Sequence, residues 1–314
     1  MTDQTAVKRA IHGIILVNKP KDDTSNAVLQ KVKRIYGAAK AGHTGSLDPM
    51  ATGMLPICFG EATKVCQYLL DADKCYVATA RLGIKTTTAD ATGAVVAEVS
   101  HFDISQSALL QVLQQFTGQI EQVPSMYSAL KHQGVPLYRL ARQGIEIARQ
   151  PRAVHIYELQ CMHFDGQSFQ VMVRCSKGTY IRNLIEDIGE ALGVGAHVTH
   201  LHRSYTAGLA QQPMYSLETL AAFSLEEKMS KLLPMSVAVA HFPLMTLTAA
   251  QLLALRQGKR VAGADLSDDT LMSQQHERVV RLVDEQQQFV GLGVIDGESV
   301  LRVKRLLSLD SAAC

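Results

Sequence analysis

The chain has 314 residues, 47% of them hydrophobic and 19% charged; the length suggests about two domains of roughly 150 residues, and the composition excludes disordered, collagen-like and coiled-coil classes. The net charge of +2 conceals an uneven distribution: residues 1–40 and 124–182 each carry +5, whereas 41–123, 183–245 and 246–314 carry −4, −3 and −1. Cations gathered in two stretches suit a polyanion such as nucleic acid, although solvated faces of an ordinary enzyme would look the same.

After a polar tail, Gly13 to Val17 reads as a short buried strand that Pro20 stops. That apolar run is too short for a signal segment or a membrane span, so a cytoplasmic protein is expected. Thr24 or Ser25 can cap a helix from about Asn26 to Ile35, with Val28, Leu29, Val32 and Ile35 on one face and Lys31, Lys33 and Arg34 elsewhere. The stretch from Ala41 to Gly53 is too rich in glycine and proline for regular structure and is expected to be an ordered functional loop. Cys75 to Leu82 alternates as a strand, Ser105 to Phe116 has helical spacing, and Val154 to Phe164 and Ser168 to Cys175 read as neighbouring strands. Between them, Pro124 to Arg152 gathers cations, two tyrosines and two glycines and reads as an inserted arm. Helices are expected at Ile181 to Leu192 and, after a Ser216 cap, at Leu217 to Phe223.

The texture changes near 247. A helix from Ala249 to Gln257 precedes strand alternation in Val279 to Val283 and Val300 to Val303, with Gly291 to Gly293 read as a link and Asp296-Gly297 as a turn. The expected architecture is a mixed α+β domain over residues 1–246 and a small β-rich domain over 247–314.

One carboxylate stands out. Asp48 lies between Leu47 and Pro49, flanked by Gly45 and Gly53; proline restricts the residue before it, and the glycines permit close approach of a substrate. Such an aspartate can serve as nucleophile, base or electrostatic stabiliser, or be a turn residue bonding its own backbone. No complete phosphate-binding glycine motif occurs. His197, His200 and His202 lack metal-ligand spacing, so they read as structural or RNA-facing and no metal is expected. The six cysteines form no C-x-x-C pair and read as reduced, mostly buried thiols, and the terminal Cys314 is misplaced for prenylation. Tyr76 and Tyr180, at strand or helix edges, suit either core packing or stacking on a base.

Gly42-His-Thr-Gly-Ser-Leu-Asp-Pro-Met-Ala-Thr-Gly-Met-Leu-Pro56 resembles the signature loop of bacterial tRNA pseudouridine-55 synthases, the TruB family. Asn18 to Pro20 with Thr24-Ser25, Gly60 to Lys64, Lys74 to Gly83 with Thr86 to Asp90, Tyr127 to Ala129 and Ser176 to Arg182 agree in order, so the resemblance spans nearly the whole chain. Asp22 stands where the family often has glycine and Thr87 where it often has aspartate, which bears on local loop geometry. The resemblance implies a largely antiparallel pseudouridine-synthase sheet with flanking helices and a C-terminal RNA-binding module of PUA type. It implies isomerisation of uridine 55 in the tRNA T-loop after base flipping, with no cofactor. Asp48 is the implied nucleophile, with attack at sugar C1′, attack at base C6 and prior elimination all open, and Arg182 its implied partner. His43 is implied to aid flipping, Tyr76 to stack on the uracil, Tyr180 and Leu201 to line the pocket. Lys19 and Lys64 match family lysines, either structural or phosphate-directed, and are placed with the substrate-binding set. The arm at about 124–152 resembles the segment that grips the T-arm, the acceptor end is a further expected contact, and a monomer is expected. Two rivals stand beside this reading: a non-catalytic RNA binder, which needs no Asp48, and a hydrolase, which needs a second carboxylate, for which Asp90 is the nearby candidate.

Overall fold

The computed structural model describes residues 8–262 and 277–308. Strand β1 (Gly13–Lys19) leads through helix α1 (Ser25–Tyr36) to β2 (Ala41–His43) and β3 (Thr52–Phe59). Thr24 caps α1, its hydroxyl accepting the Ala27 N–H at 3.1 Å, and Ser25 is freed for another task described below. A 3-10 turn (Gly60–Lys64) and α2 (Cys66–Asp71) carry the chain to β4 (Lys74–Leu82). The hairpin of β5 (Ile84–Thr86) and β6 (Val95–Glu98) follows, then α3 (Gln106–Gln115), capped by Ser105, and β7 (Gly118–Gln122). The next segment carries a hairpin, β8 (Lys131–His132) with β9 (Val135–Pro136), and one turn of helix, α4 (Leu137–Ala141), and is largely exposed. It returns into β10 (Arg152–Phe164), β11 (Ser168–Cys175), α5 (Ile181–Ala191) and β12 (Ala196–Thr206), with α6 (Leu217–Ala222) and α7 (Leu225–Ser230) after them. The last part holds β13 (Leu244–Thr246), α8 (Ala249–Arg256), β14 (Arg278–Val283), β15 (Phe289–Ile295) and β16 (Leu301–Leu306).

The main sheet runs β1-β3-β12-β4-β11-β10-β7, with β2 added beside β3. Every pairing in it is antiparallel except the short β3–β12 contact. The fold is thus mixed and largely antiparallel α+β. On one face, Ala78, Ala80, Phe169, Val171, Val173 and Val198 pack beneath Leu109 and Leu113 of α3 and Leu184, Ile185 and Ile188 of α5. Leu47, Met50 and Ala51 join this core, so the loop between β2 and β3 is pinned by apolar burial at residues on both sides of Asp48.

Several strands depart from the sequence reading, and β2 with the start of β3 occupies both ends of the 41–53 stretch expected to hold no regular structure. Strand β3 escapes it because Gly53 and Pro56 interrupt an otherwise unbroken apolar run; its flank away from β1 pairs with β12 at 52–53 and β2 at 57–59, leaving Met54 to Pro56 without a strand partner on that side. Strand β12 is masked by its three histidines. Gly291 to Gly293, read as a link, is the middle of β15: a Cβ at Gly291 would sit 2.3 Å from the Arg305 carbonyl oxygen, so the glycine admits a close strand rather than a bend. The smaller sheet, β13-β14-β15-β16, takes in Leu244 to Thr246, so the boundary read at 247 falls just after its first strand. That three-residue strand is too short to show a period. Cys314 lies outside the described residues.

The small sheet is bolted to the main one. The Glu61 carboxylate accepts the Ser308 N–H at 2.5 Å and the Lys64 ammonium at 2.5 Å, and Lys64 also donates to the Leu306 carbonyl at 3.2 Å. Leu292 and Leu307 share an apolar cluster with Leu16, Met54 and Leu69. No helix among the described residues is long and apolar enough to cross a membrane.

Gly53 has φ +102, and a Cβ there would lie 2.3 Å from the Arg203 carbonyl oxygen. Gly53→Ala should therefore cost about 2–4 kcal/mol in urea unfolding. Gly166→Ala, at φ +87 with nothing within 4 Å of a Cβ, should cost about 1 kcal/mol, and equal losses in the two would contradict this packing.

Candidate active site

Asp48 lies in the β2–β3 loop with its side chain 36% exposed, and Arg182, in the first turn of α5, is nearly wholly buried beneath it. The pair is bidentate: Nε donates to Oδ2 at 2.8 Å and Nη2 to Oδ1 at 3.2 Å. Such a fork fixes both carboxylate oxygens while leaving lone pairs of each toward the opening. The same guanidinium donates to the Thr88 carbonyl at 2.8 Å and the Tyr127 carbonyl at 2.9 Å, and Asp90 faces its Nη1 at 3.6 Å. Asp90 is buried, and its Oδ1 accepts from Thr88 Oγ1, Thr92 N and Thr92 Oγ1 at 2.6 to 2.9 Å, while its Oδ2 is the oxygen that faces Arg182.

The loop around Asp48 is held from three sides. Ser25 Oγ donates to the Leu47 carbonyl at 3.0 Å and accepts its N–H at 2.8 Å. Lys19, fully buried, donates to the carbonyls of Pro20, Asp23 and Pro49 at 2.6 to 3.1 Å. The Asp22 N–H adds a second bond to Pro49 O at 2.8 Å, from a residue at φ +68, the left-handed region where glycine is at ease. Arg203 donates to the carbonyls of Met54 at 2.7 Å and Gly45 at 2.9 Å.

Above this floor stand the aromatic and apolar groups. Tyr76 on β4 is half-buried against the core that contains Leu201 of β12, and burial raises the pKa of its phenol. Tyr180 precedes α5; its N–H donates to Gln122 Oε1 at 3.0 Å and its carbonyl accepts from Gln122 Nε2 at 3.2 Å. Burial raises its phenol as well, with the Asp48 charge adding to the effect. His43, ending β2, has a buried Nδ1 with no hydrogen-bond partner, and burial, reinforced by the Arg203 cation, lowers its pKa from the usual histidine value. The site is thus a fixed, half-open carboxylate within an aromatic and apolar surround. Among the described residues no group of three His, Cys, Asp or Glu side chains is arranged to hold a metal ion.

Comparison with known proteins bears on the whole chain. The model of the TruB family pseudouridylate synthase N-terminal domain matches residues 33–181. The tRNA pseudouridylate synthase B C-terminal domain matches 182–240 and the pseudouridine synthase II TruB C-terminal module 243–307. A Legionella pneumophila protein named tRNA pseudouridine synthase B is 51% identical over 95% of this chain and 96% of its own. The chain belongs to the TruB family. An Aeromonas salmonicida protein of the same name is 49% identical over 95% of this chain and 94% of its own. Among solved structures, a Cbf5–Nop10–Gar1 complex superposes with a TM-score of 0.73 at 28% identity, covering 94% of this chain and 84% of that one.

Within this TruB-family fold, Asp48, Arg182, Tyr180 and Tyr76 converge, Leu201 belongs to the core beneath them, and His43 ends the strand that enters the Asp48 loop. Of the two roles left open for the lysines, their hydrogen bonds favour the structural one. Lys19 spends its three donors on backbone carbonyls and is closed to solvent, and Lys64 fastens the C-terminal sheet. Sequence reasoning missed Ser25, Gln122 and Arg203 as supports. For Ser25 the adjacent Thr24 offers a clue, since a helix needs one cap and the second hydroxyl is left free.

Between α5 and the arm runs a cleft of about 720 Å³, whose lining includes Thr87, Tyr127, Asn183, Glu186 and Asp187. Burial, with Glu186 and Glu190 nearby, pushes the Asp187 carboxyl up to about 6.

Lys19→Met should lower the turnover number by about 10- to 100-fold while leaving the tRNA dissociation constant and its salt slope unchanged; a flattened salt slope would instead assign Lys19 to phosphate. Asp187 holds its proton more tightly folded than unfolded, so its contribution to stability is whole below about pH 4 and lost as pH rises through about 6. Asp187→Asn should therefore melt about 2 °C higher than the parent at pH 7.5 and lose that advantage at pH 4.

Proposed function

We propose that this chain isomerises uridine 55 in the T-loop of tRNAs to pseudouridine, with Asp48 as the nucleophile. The bidentate Arg182–Asp48 pair, its carboxylate partly exposed and close enough for its charge to act on Tyr76 and Tyr180, carries the reading, together with relatives named tRNA pseudouridine synthase B at about half identity. The reaction breaks N1–C1′ and forms C5–C1′; the C5 proton leaves to solvent and N1 gains one. Atoms and electrons balance within the nucleotide, so the chemistry requires no electron carrier or activated co-substrate. What it requires is an anionic group beside the sugar and base, and a pocket that keeps the freed uracil long enough to turn.

Each site residue has a task in this scheme. A T-loop base is stacked and must be flipped out, at a cost of a few kcal/mol that pocket contacts offset. Tyr76 stacks on the extruded ring, worth roughly 1–3 kcal/mol. Tyr180 and Leu201 close the lining, and His43, with its unpartnered buried nitrogen, meets the flipping nucleotide. Arg182 aims Asp48 and links its loop to Thr88 and Tyr127. The arm at about 124–152, carrying Lys131, Arg139, Arg142 and Arg149, grips the T-arm. The domain at 247–314 adds an acceptor-end contact. A cytoplasmic monomer binding one tRNA completes the proposal.

The hydrolase alternative needs a second carboxylate set across the scissile bond with room for water. Asp90 is ill placed for it, being buried, with Oδ1 held by Thr88 and Thr92 and Oδ2 turned to the Nη1 edge of Arg182.

Tritium release from tRNA labelled at uracil C5, with analysis of the product nucleosides, tests the reading. The parent should release tritium and form pseudouridine, and Asp48→Asn should lose at least about three orders of magnitude in rate while binding tRNA within a few-fold. Binding without release by the parent would leave an RNA-binding protein, and free uracil would indicate a hydrolase.

A further inference from the structure

Arg203 on β12 is 1% exposed and is among the largest fully buried side chains. No carboxylate lies within ion-pair distance of it among the described residues, in contrast with Arg182. Burying an arginine without a carboxylate is a poor way to stabilise a fold, because an apolar side chain would avoid the desolvation of its charge. Its donors instead go to two carbonyls, Gly45 O and Met54 O, which bracket the loop carrying Asp48. Its backbone lies against Gly53, and its Nη1 stands 3.2 Å from where a Gly45 Cβ would be. Both glycines adopt positive φ; Gly53 admits the Arg203 main chain and Gly45 faces its guanidinium, so the chain around Asp48 closes on this residue from two sides. The guanidinium also acts on the groups around the pocket, favouring the phenolate of Tyr76 and disfavouring the charged form of His43.

We propose that Arg203 is a positioning residue for the isomerisation: it spans the two ends of the Asp48 loop and ties that loop to the floor beneath Tyr76 and His43, so that nucleophile and stacking ring keep one fixed separation. The proposal rests on the synthase reading above. A bound nucleotide that must detach, turn and rejoin is sensitive to that separation at two successive steps, so loosening the loop lowers turnover rather than binding.

Arg203→Lys and Arg203→Gln test this in the full-length protein, using single-turnover tritium release, tRNA affinity by filter binding, thermal melting, and NMR titration of His43. A lysine keeps the charge but replaces the rigid planar fork, whose Nε and Nη2 hold the two carbonyls, with one flexible ammonium. Arg203→Lys should stay folded, bind tRNA within threefold of the parent, keep the low His43 titration, and lose about 100-fold in rate. Arg203→Gln should lose at least as much and shift His43 upward toward an ordinary histidine. The proposal is overturned if Arg203→Lys turns over within threefold of the parent. It is equally overturned if its rate falls only in step with tRNA affinity or folded fraction, or if His43 does not move in Arg203→Gln. A parent that forms no pseudouridine would sink the synthase reading itself, an outcome distinct from equal rates in parent and variant.

Discussion

Burying a cation without a counter-charge is among the more expensive things a fold can do, and this one buries Lys19, Lys74, Arg182 and Arg203. Among the described residues, only Arg182 of these four meets carboxylates. Lys19, Lys74 and Arg203 are solvated by main-chain carbonyls: those of Pro20, Asp23 and Pro49, of Leu69, Leu70 and Ala72, and of Gly45 and Met54. Carbonyls can only do this if the backbone presenting them is held still, so each buried charge immobilises a stretch of chain. Desolvation pushes both lysines down to about 8, so the carbonyls make good only part of the hydration lost.

The site depends on this arrangement because Asp48 sits in a loop with no ladder of its own. Apolar burial of Leu47, Met50 and Ala51 fixes its depth. Ser25, Lys19 and Arg203 fix its path through backbone bonds, and Arg182 fixes the carboxylate itself. Preorganisation of this kind leaves little to rearrange when charge develops at the reacting carbon, and it explains why so polar a cluster is tolerated at the centre of a sheet.

The outline of this was legible in the sequence, and the supports were not. An apolar run ended by proline located β1, which is buried on both faces, and periodicity with turn and capping residues located α1, β4, α3, β10, β11 and α5. They failed for β3 and β12, which run through the middle of the sheet and whose glycine, proline and histidines carry no period of two. Asp48 and Arg182 were legible through the motifs around them. Arg203, beside His202 in a run that looks like a polar surface, was not, since its partners lie 149 and 158 residues earlier in the chain. Gln122 was hidden for the same reason, bonding Tyr180 from 58 residues away. The left-handed Asp22 shows the converse: where the resemblance suggests glycine, an aspartate holds a φ of +68 that glycine would adopt at ease.

The Glu61 clasp on Ser308, with Lys64 bridging to Leu306, has a further meaning for recognition. A module tethered by a loose linker finds its ligand by search, and each encounter orders the linker anew. Here the smaller sheet is locked to the turn that directly follows β3, the strand leaving the Asp48 loop. Any ligand long enough to touch both bodies therefore meets a caliper of set opening rather than two independent hands, and is selected by its length and curvature as much as by its chemistry.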